Sequence, residues 1–326
     1  MTPIRSFGLA CLAAALSTLA AAALAQAWPA KPIRIVSPHP PGGPGDIPFR
    51  GIAQMLGPKY GQPFVVDNRP GANAVIGAEI CAKSAPDGYT LCGTNNGTIS
   101  LNPFAYPKLP YDPVKDFIGI VSIGAVESAL VANPNVAVNS AKELFDRARA
   151  KPNSLTWSTI GVGSGSHLVL EWFRTQGFGF LHVPFKGGEQ AMNAVVGGQV
   201  DVSLNASGRT APMIRAGKLK ALAVDGEHAS QFLPGVPTLK DLGFDTGNMR
   251  IWVGLFAPSG TPRAIVDRLN ADVNALLKDD EYLKKYLGTQ GMVPTGGSVE
   301  QFNAYLRQER DFYERLLKQT GVKLGE

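Results

Sequence analysis

The chain contains two glycine-rich turns, Pro38-His-Pro-Pro-Gly-Gly-Pro-Gly-Asp46 and Gly161-Val-Gly-Ser-Gly-Ser-His167, each between a strand-like and a helix-like run. A helix start presents unpaired backbone N–H groups and the positive end of a dipole, and glycine lets a ligand approach that backbone closely. Two such turns can hold one anion from both sides, but only if the chain builds two lobes that face each other. Length agrees with that demand. Of 326 residues, residues 1–25 read as a secretory signal peptide, with Arg5, an Ala/Leu-rich stretch from Phe7 to Leu24 and small residues suited to cleavage around Ala25. The remainder exceeds what one hydrophobic core usually holds.

Short β-like runs alternate with amphipathic segments, the pattern of an α/β protein with largely parallel sheets. Strands are expected at Ile33–Ser37, Phe64–Asp67, Tyr89–Gly93 and Ile118–Ile123, with helices from Asp46 to Leu56 and Ala74 to Lys83. A second α/β unit follows, with strands at Ala129–Ala132, Thr156–Thr159, Leu181–Pro184, Val200–Leu204 and Ala221–Val224. Its helices are expected at 140–150, 167–176 and 188–196. Ile251–Ala257 then returns the chain to the first unit, where helices at 262–278 and 299–319 complete it. Residues 26–124 and 254–326 form lobe 1 in this reading, and 125–253 form lobe 2. Two crossings between lobes make a hinge over a cleft, a usual place for a small ligand.

The chain carries 31 basic against 26 acidic residues, a formal +5, with no Lys/Arg cluster interleaved with aromatics; this excludes a nucleic-acid surface and mildly favours anionic ligands. Phosphate-loop and dinucleotide motifs fail: the first turn has no Gly-Lys-Ser/Thr, and Gly161-Val-Gly-Ser-Gly165 misses G-x-G-x-x-G by one position. No G-x-S-x-G frame runs through Ser164 or Ser166. A secreted serine hydrolase using either serine with His167 therefore lacks an ordered acid, base and nucleophile set. His167 and Glu171 share a helix face, but no third metal ligand is apparent, and no cofactor is implied. Cys81 and Cys92 flank a turn in a chain marked for export; they fit a disulfide and equally two buried thiols.

The candidate ligand contacts are His39, Gly42, Gly43, Gly45 and Asp46 in the first turn, and Gly163, Ser164, Ser166 and His167 in the second. Asp46 suits the N-cap of its own helix better than contact with a carboxylate, which it would repel. His167 could donate to an anion or simply complete the capped turn. Thr94 and Asn95 follow the third strand and Asn205 and Arg209 follow another, at the edges where open α/β sheets bind ligands. Arg209 could hold a carboxylate bidentately or form an ordinary surface ion pair.

Taken in order, Pro40-Pro-Gly-Gly43 with Asp46, Asp67-Asn-Arg-Pro-Gly71, Ala85-Pro-Asp-Gly-Tyr-Thr90, Leu109-Pro-Tyr-Asp-Pro113, His182-Val-Pro-Phe-Lys-Gly187, Gly197-Gly-Gln-Val-Asp201, Ala216-Gly-Lys-Leu-Lys-Ala221 and Ala257-Pro-Ser-Gly-Thr-Pro262 resemble the Bug (TctC-like) receptors. Those are periplasmic solute-binding proteins of tripartite tricarboxylate transporters. The resemblance implies a two-lobed type II periplasmic-binding-protein fold, capture of a small organic carboxylate by closure, and delivery to membrane permease subunits, with the receptor a monomer. A sensor co-receptor for the same ligand is the related alternative. It also implies that the loops at His39–Asp46 and Gly161–His167 hold the carboxylate. The sequence departs from the family pattern where His39 replaces a common aromatic, Gly45 a frequent Thr or Ser, Asn205 a frequent Asp, and Arg209 a small residue. The last two changes remove a partner for a ligand amine and add one for a second carboxylate. They point to a dicarboxylate without an ammonium group, including aromatic acids of the phthalate type.

Overall fold

The computed structural model describes residues 28–72, 74–185, 187–225, 230–246 and 249–323. The expected signal segment lies outside them. Eleven strands form two sheets among the described residues. The first contains β1 (Ile33–Ser37), β2 (Phe64–Asn68), β3 (Thr90–Asn95), β4 (Phe117–Val126), β10 (Trp252–Pro258) and β11 (Met292–Gly296), in the order β11-β4-β10-β3-β1-β2. The second contains β5 (Ser128–Ala132), β6 (Thr156–Thr159), β7 (Leu181–Pro184), β8 (Val202–Ala206) and β9 (Lys220–Val224), in the order β7-β6-β8-β5-β9.

The sheets are mixed, which corrects the expectation of largely parallel ones. β1 pairs in parallel with β2 and β3, and β6 with β7 and β8. Antiparallel pairing appears where the chain changes sheets. Only Glu127 separates β4 from β5, and returning β10 lies antiparallel between β3 and β4. A strand that carries the chain back runs against its neighbours, and no βαβ crossover forces it otherwise.

The main helices are α1 (Ile47–Tyr60), α2 (Val75–Ala82), α3 (Ala141–Ala150), α4 (Gly165–Thr175), α5 (Gly188–Val196), α6 (Ser207–Arg215), α7 (Arg263–Leu276) and α8 (Val299–Thr320). Local chemistry sets several starts: Ser140 caps α3 by accepting from the Glu143 N–H, and Ser298 and Gln301 form a reciprocal capping box on α8. Each sheet has its own core. Ile35, Leu91, Val121 and Leu255 pack with Phe49 of α1 and Leu269 of α7; Leu130 and Trp157 pack with Leu144 of α3 and Phe173 of α4. Cys81 of α2 and Cys92 of β3 are joined, with Cα atoms 6.0 Å apart.

Helix α8 belongs to both halves. Phe302 and Leu306 pack behind the first sheet, whereas Tyr313 and Leu316 enter the core of the second. The expectation that this helix only completes the first lobe is therefore corrected: its 22 residues carry a buried face from Val299 to Leu316, long enough to reach across. At its middle, Glu309 is fully buried and accepts hydrogen bonds from Trp252 Nε1 (2.7 Å), the Tyr305 hydroxyl (3.1 Å) and Ser100. Burial pushes its carboxyl up to about 7 against those donors.

Candidate functional site

The first turn is built around a buried acid. Ser37 at the end of β1 donates its hydroxyl to the Gly45 carbonyl at 2.6 Å, drawing the turn back on its strand. Asp46 is fully buried and accepts from the Gly42 N–H (2.8 Å), Arg50 Nε (2.7 Å) and Asn68 Nδ2 (2.8 Å). Burial alone would raise its carboxyl, but Arg50, the Gly42 N–H and Asn68 together hold it below the usual carboxylate range. Its side chain makes no cap bond to α1. The capping role is thus corrected for Asp46, whose oxygens are engaged in fixing the loop. Gly42, at φ +90°, supplies the left-handed residue that lets the loop reach that carboxylate.

His39 and Gly45 are one feature. A Cβ on Gly45 would lie 2.4 Å from His39 Cδ2, so the imidazole occupies the space a side chain at 45 would need. The two departures from the family pattern are complementary: the ring at 39 sits where Thr or Ser would stand. His39 Nε2 is buried without a hydrogen-bond partner among the described residues, and burial lowers the imidazole pKa. It therefore presents an uncharged ring at neutral pH.

The second turn folds around its own side chains. Ser164 caps α4 by accepting from the His167 N–H (3.3 Å) and donates to the Gly161 carbonyl (2.7 Å), while Ser166 Oγ accepts from the Ile160 N–H (3.1 Å). His167 turns inward. Its Nδ1 accepts from the Gly163 N–H (3.0 Å), its Nε2 lies 3.3 Å from Glu171, and its ring stacks on His182 at 4.2 Å. Burial, then the charges of His167 and Arg174, push His182 down to about 4, and its Nε2 pairs with Thr159 Oγ1 at 2.6 Å. His167 thus supports the turn from beneath. Neither serine hydroxyl bonds to an imidazole among the described residues, so the hydrolase arrangement has no base. No group of three metal-binding side chains occurs there either.

Two adjoining cavities open between the sheets. The first, about 490 Å³, lies between the turns and is lined by Pro38, His39, Asn95, Leu101, Ile160 and Ser164, with Gly163 beside them. The second, about 200 Å³, is lined by Ser166, Gly188, Asn205, Arg209 and Asp225. Ile160 and Gly165 line both. A further cavity of about 490 Å³, beside Trp252 and Tyr305, contains none of the expected residues.

Sequence reasoning thus brings His39, Asn95, Gly163 and Ser164 to one cavity and Ser166, Asn205 and Arg209 to the next. Gly42, Gly43 and Gly45 stay within their turn. Thr94 is corrected: it is 2 % exposed, paired with Gly254 inside the first sheet. Asn95 spends its carbonyl oxygen on Thr98, fixing the start of a π-helical turn over Gly97–Leu101. That turn puts Leu101 on the cavity wall, a placement no sequence motif announces.

Arg209 lies over the start of α5. Its Nη1 would be 3.3 Å from a Cβ on Gly188, with Asn205 Oδ1 at 3.4 Å. It forms no ion pair among the described residues, so the surface-pair alternative is not realised. Asp225, absent from the sequence reading, is 6 % exposed on the wall of the same cavity, and burial raises its carboxyl to about 7. The signal was available: Asp225 follows β9 and precedes a glycine, as Arg209 comes after β8, of which Asn205 is the last residue but one. Asp225 places an acid on the cavity wall that Asn205 also lines.

Residues 48–322 match the family described as tripartite tricarboxylate transporter family receptor (TctC). Protein BugT of Bordetella pertussis is 32% identical over 308 residues, 94% of each chain. An R. palustris protein solved with adipate is 32% identical with a TM-score of 0.72, covering 91% of this chain and 99% of that one. MatC of Rhodopseudomonas palustris with bound malate is 29% identical with a TM-score of 0.67, covering 89% and 100%. Family, fold and paired turns agree: the chain belongs to the TctC (Bug) family of tripartite tricarboxylate transporter receptors, which are binding proteins of two-lobed fold and not enzymes.

Proposed function

We propose that this receptor captures a dicarboxylate in the periplasm and delivers it to the membrane permease of a tripartite transporter. One carboxylate is held in the first cavity between the two turns, and the other by Arg209 in the second. Arg209, which forms no ion pair among the described residues, carries this reading. Its charge faces the start of α5, where Gly187 provides no side-chain cap, and a cation beside a helix start invites an anion. Between the ends, Pro38, Leu101 and Ile160 offer an apolar wall suited to an aliphatic chain or an aromatic ring. The relatives solved with adipate and malate support the acid class.

The lobes, residues 26–124 with 254–326 and residues 125–253, each bring one turn to the ligand. Closure about the crossings at Glu127 and ahead of β10 is then driven by contacts that both lobes make only when shut. A thermal-shift screen of the purified protein against mono-, di- and tricarboxylates and amino acids tests the reading. A ligand at a hundred times its Kd adds about 2.7 kcal/mol of stability, roughly 4 °C for a chain of this size. Dicarboxylates are predicted to give the largest shifts; a screen in which no carboxylate shifts the midpoint overturns the proposal.

A further inference from the structure

The second cavity holds two opposite charges that the family relationship does not explain. Arg209 has no ion-pair partner among the described residues. Asp225, on the same wall, is 94 % buried by the 6 % exposure it retains, and no cation there comes within ion-pair distance of it. Its Oδ1 accepts from the Ser128 N–H at 2.6 Å, and its own N–H returns a bond to the Ser128 carbonyl at 2.9 Å. That exchange pins β5 to the end of β9, and the Ser128 side chain also hydrogen-bonds the carboxyl, which still leaves acceptor sites of an ionised carboxylate open. A buried carboxyl with spare acceptor capacity beside a ligand cavity is costly unless a donor reaches it.

At about 200 Å³ the cavity is smaller than the ~300–1,000 Å³ of a whole ligand pocket, so it accommodates one end of a molecule whose other end lies in the larger cavity. That end meets a cation, an acid, the amide of Asn205 and the hydroxyl of Ser166 together. A plain carboxylate satisfies Arg209 and α5 but repels Asp225 where it is ionised. A carboxylate with a neighbouring donor satisfies both.

We propose that Asp225 is a specificity-determining residue: with Arg209 it selects a dicarboxylate bearing a hydrogen-bond donor, a hydroxyl or an ammonium group, on the carbon next to the carboxylate that Arg209 takes. This rests on the receptor reading above and deepens it. The raised carboxyl of Asp225, pushed up by burial against the Ser128 N–H and Arg250, fits a group whose charge the protein leaves unsatisfied until a ligand arrives.

The test is calorimetric titration of the full mature chain with succinate, malate and aspartate, and with adipate and 2-aminoadipate as a longer pair. In the wild type, the donor-bearing acid of at least one set is expected to bind tenfold or more tightly than its plain counterpart. In Asp225→Ser the preference should fall below threefold, with the donor-bearing acid losing affinity relative to the plain one. Asp225→Asn keeps an acceptor for Ser128 and serves as the second variant; it should lose the preference for aspartate over succinate. Equal affinity for plain and donor-bearing acids in the wild type, or a preference that survives both variants, overturns the assignment. Failure of every acid to bind overturns the dicarboxylate reading beneath it, and the two failures are thereby distinct.

Discussion

Replacing Gly45 by alanine is predicted to damage both the fold and the site, through His39. The new Cβ would lie 2.4 Å from Cδ2, 2.5 Å from Cγ and 2.8 Å from Cβ of the histidine. Because the overlap includes Cγ and Cβ, spinning the ring about its last torsion gives no relief; the whole side chain must move to another rotamer or the backbone must shift. Gly45 is not among the residues with positive φ, so the cost is steric. Overpacking of this kind costs about 1–3 kcal/mol. Removing the ring first should remove most of it, so in a His39→Ala background the same substitution is expected to cost less than about 1 kcal/mol, a coupling of at least ~1 kcal/mol. Urea unfolding of the wild type, both single variants and the double variant measures this, with an unchanged denaturant slope as the check that only stability has moved. Since His39 lines the first cavity, the displaced ring should also weaken binding of mono- and dicarboxylates alike. A Gly45→Ala cost that is negligible, or identical with and without the ring, would refute the reasoning.

Two further outcomes follow from buried groups. Glu309 and Asp225 have carboxyls raised to about 7, so the folded chain binds extra protons between about pH 4 and 7 and these groups lose it stability as pH rises through that window, on the order of 3 kcal/mol each. Glu309→Gln removes its share: relative to wild type, the variant should gain stability between pH 5 and 8 in chemical denaturation, and a difference independent of pH would contradict the assignment. Cys81 and Cys92 are separated by 11 positions; losing that loop constraint by the paired Cys81→Ser and Cys92→Ser exchange should cost about 3 kcal/mol, read as a lower urea midpoint.

The sequence is most legible where structure is decided locally. Ser140 and Ser298 announce their helices because capping depends on neighbours a few residues away, and the two glycine turns stand between the strand and helix expected of them. It is least legible where distant chain decides. β11 contains Pro294, which a strand tolerates only because β11 is the sheet's edge, and edge position is a property of topology. Helix α6 is obscured by Gly208 and Pro212 within nine residues, and the register of β8 starts at Val202 instead of Val200 because its partner is β5. The same division holds for the site. Asn205 and Arg209 are found by a rule about residues near strand ends, though Asn205 lies within β8 and Arg209 in α6, and Asp225 obeys the same rule without being singled out. Asp46 and His167 look like ligand contacts because polar residues in glycine turns often are; only the positions of Arg50, Asn68 and His182 reveal that they hold the turns together.

The most direct test is calorimetry with matched acids that differ by one carboxylate, adipate against hexanoate and phthalate against benzoate, on the wild type and Arg209→Ala. A charge-assisted contact contributes about 1.5–3 kcal/mol, which corresponds to roughly ten- to hundredfold in affinity. The wild type should prefer the diacid of at least one pair by that factor, and Arg209→Ala should abolish the preference while keeping the monoacid's affinity. A diacid preference that survives the loss of Arg209 would contradict the two-ended grip.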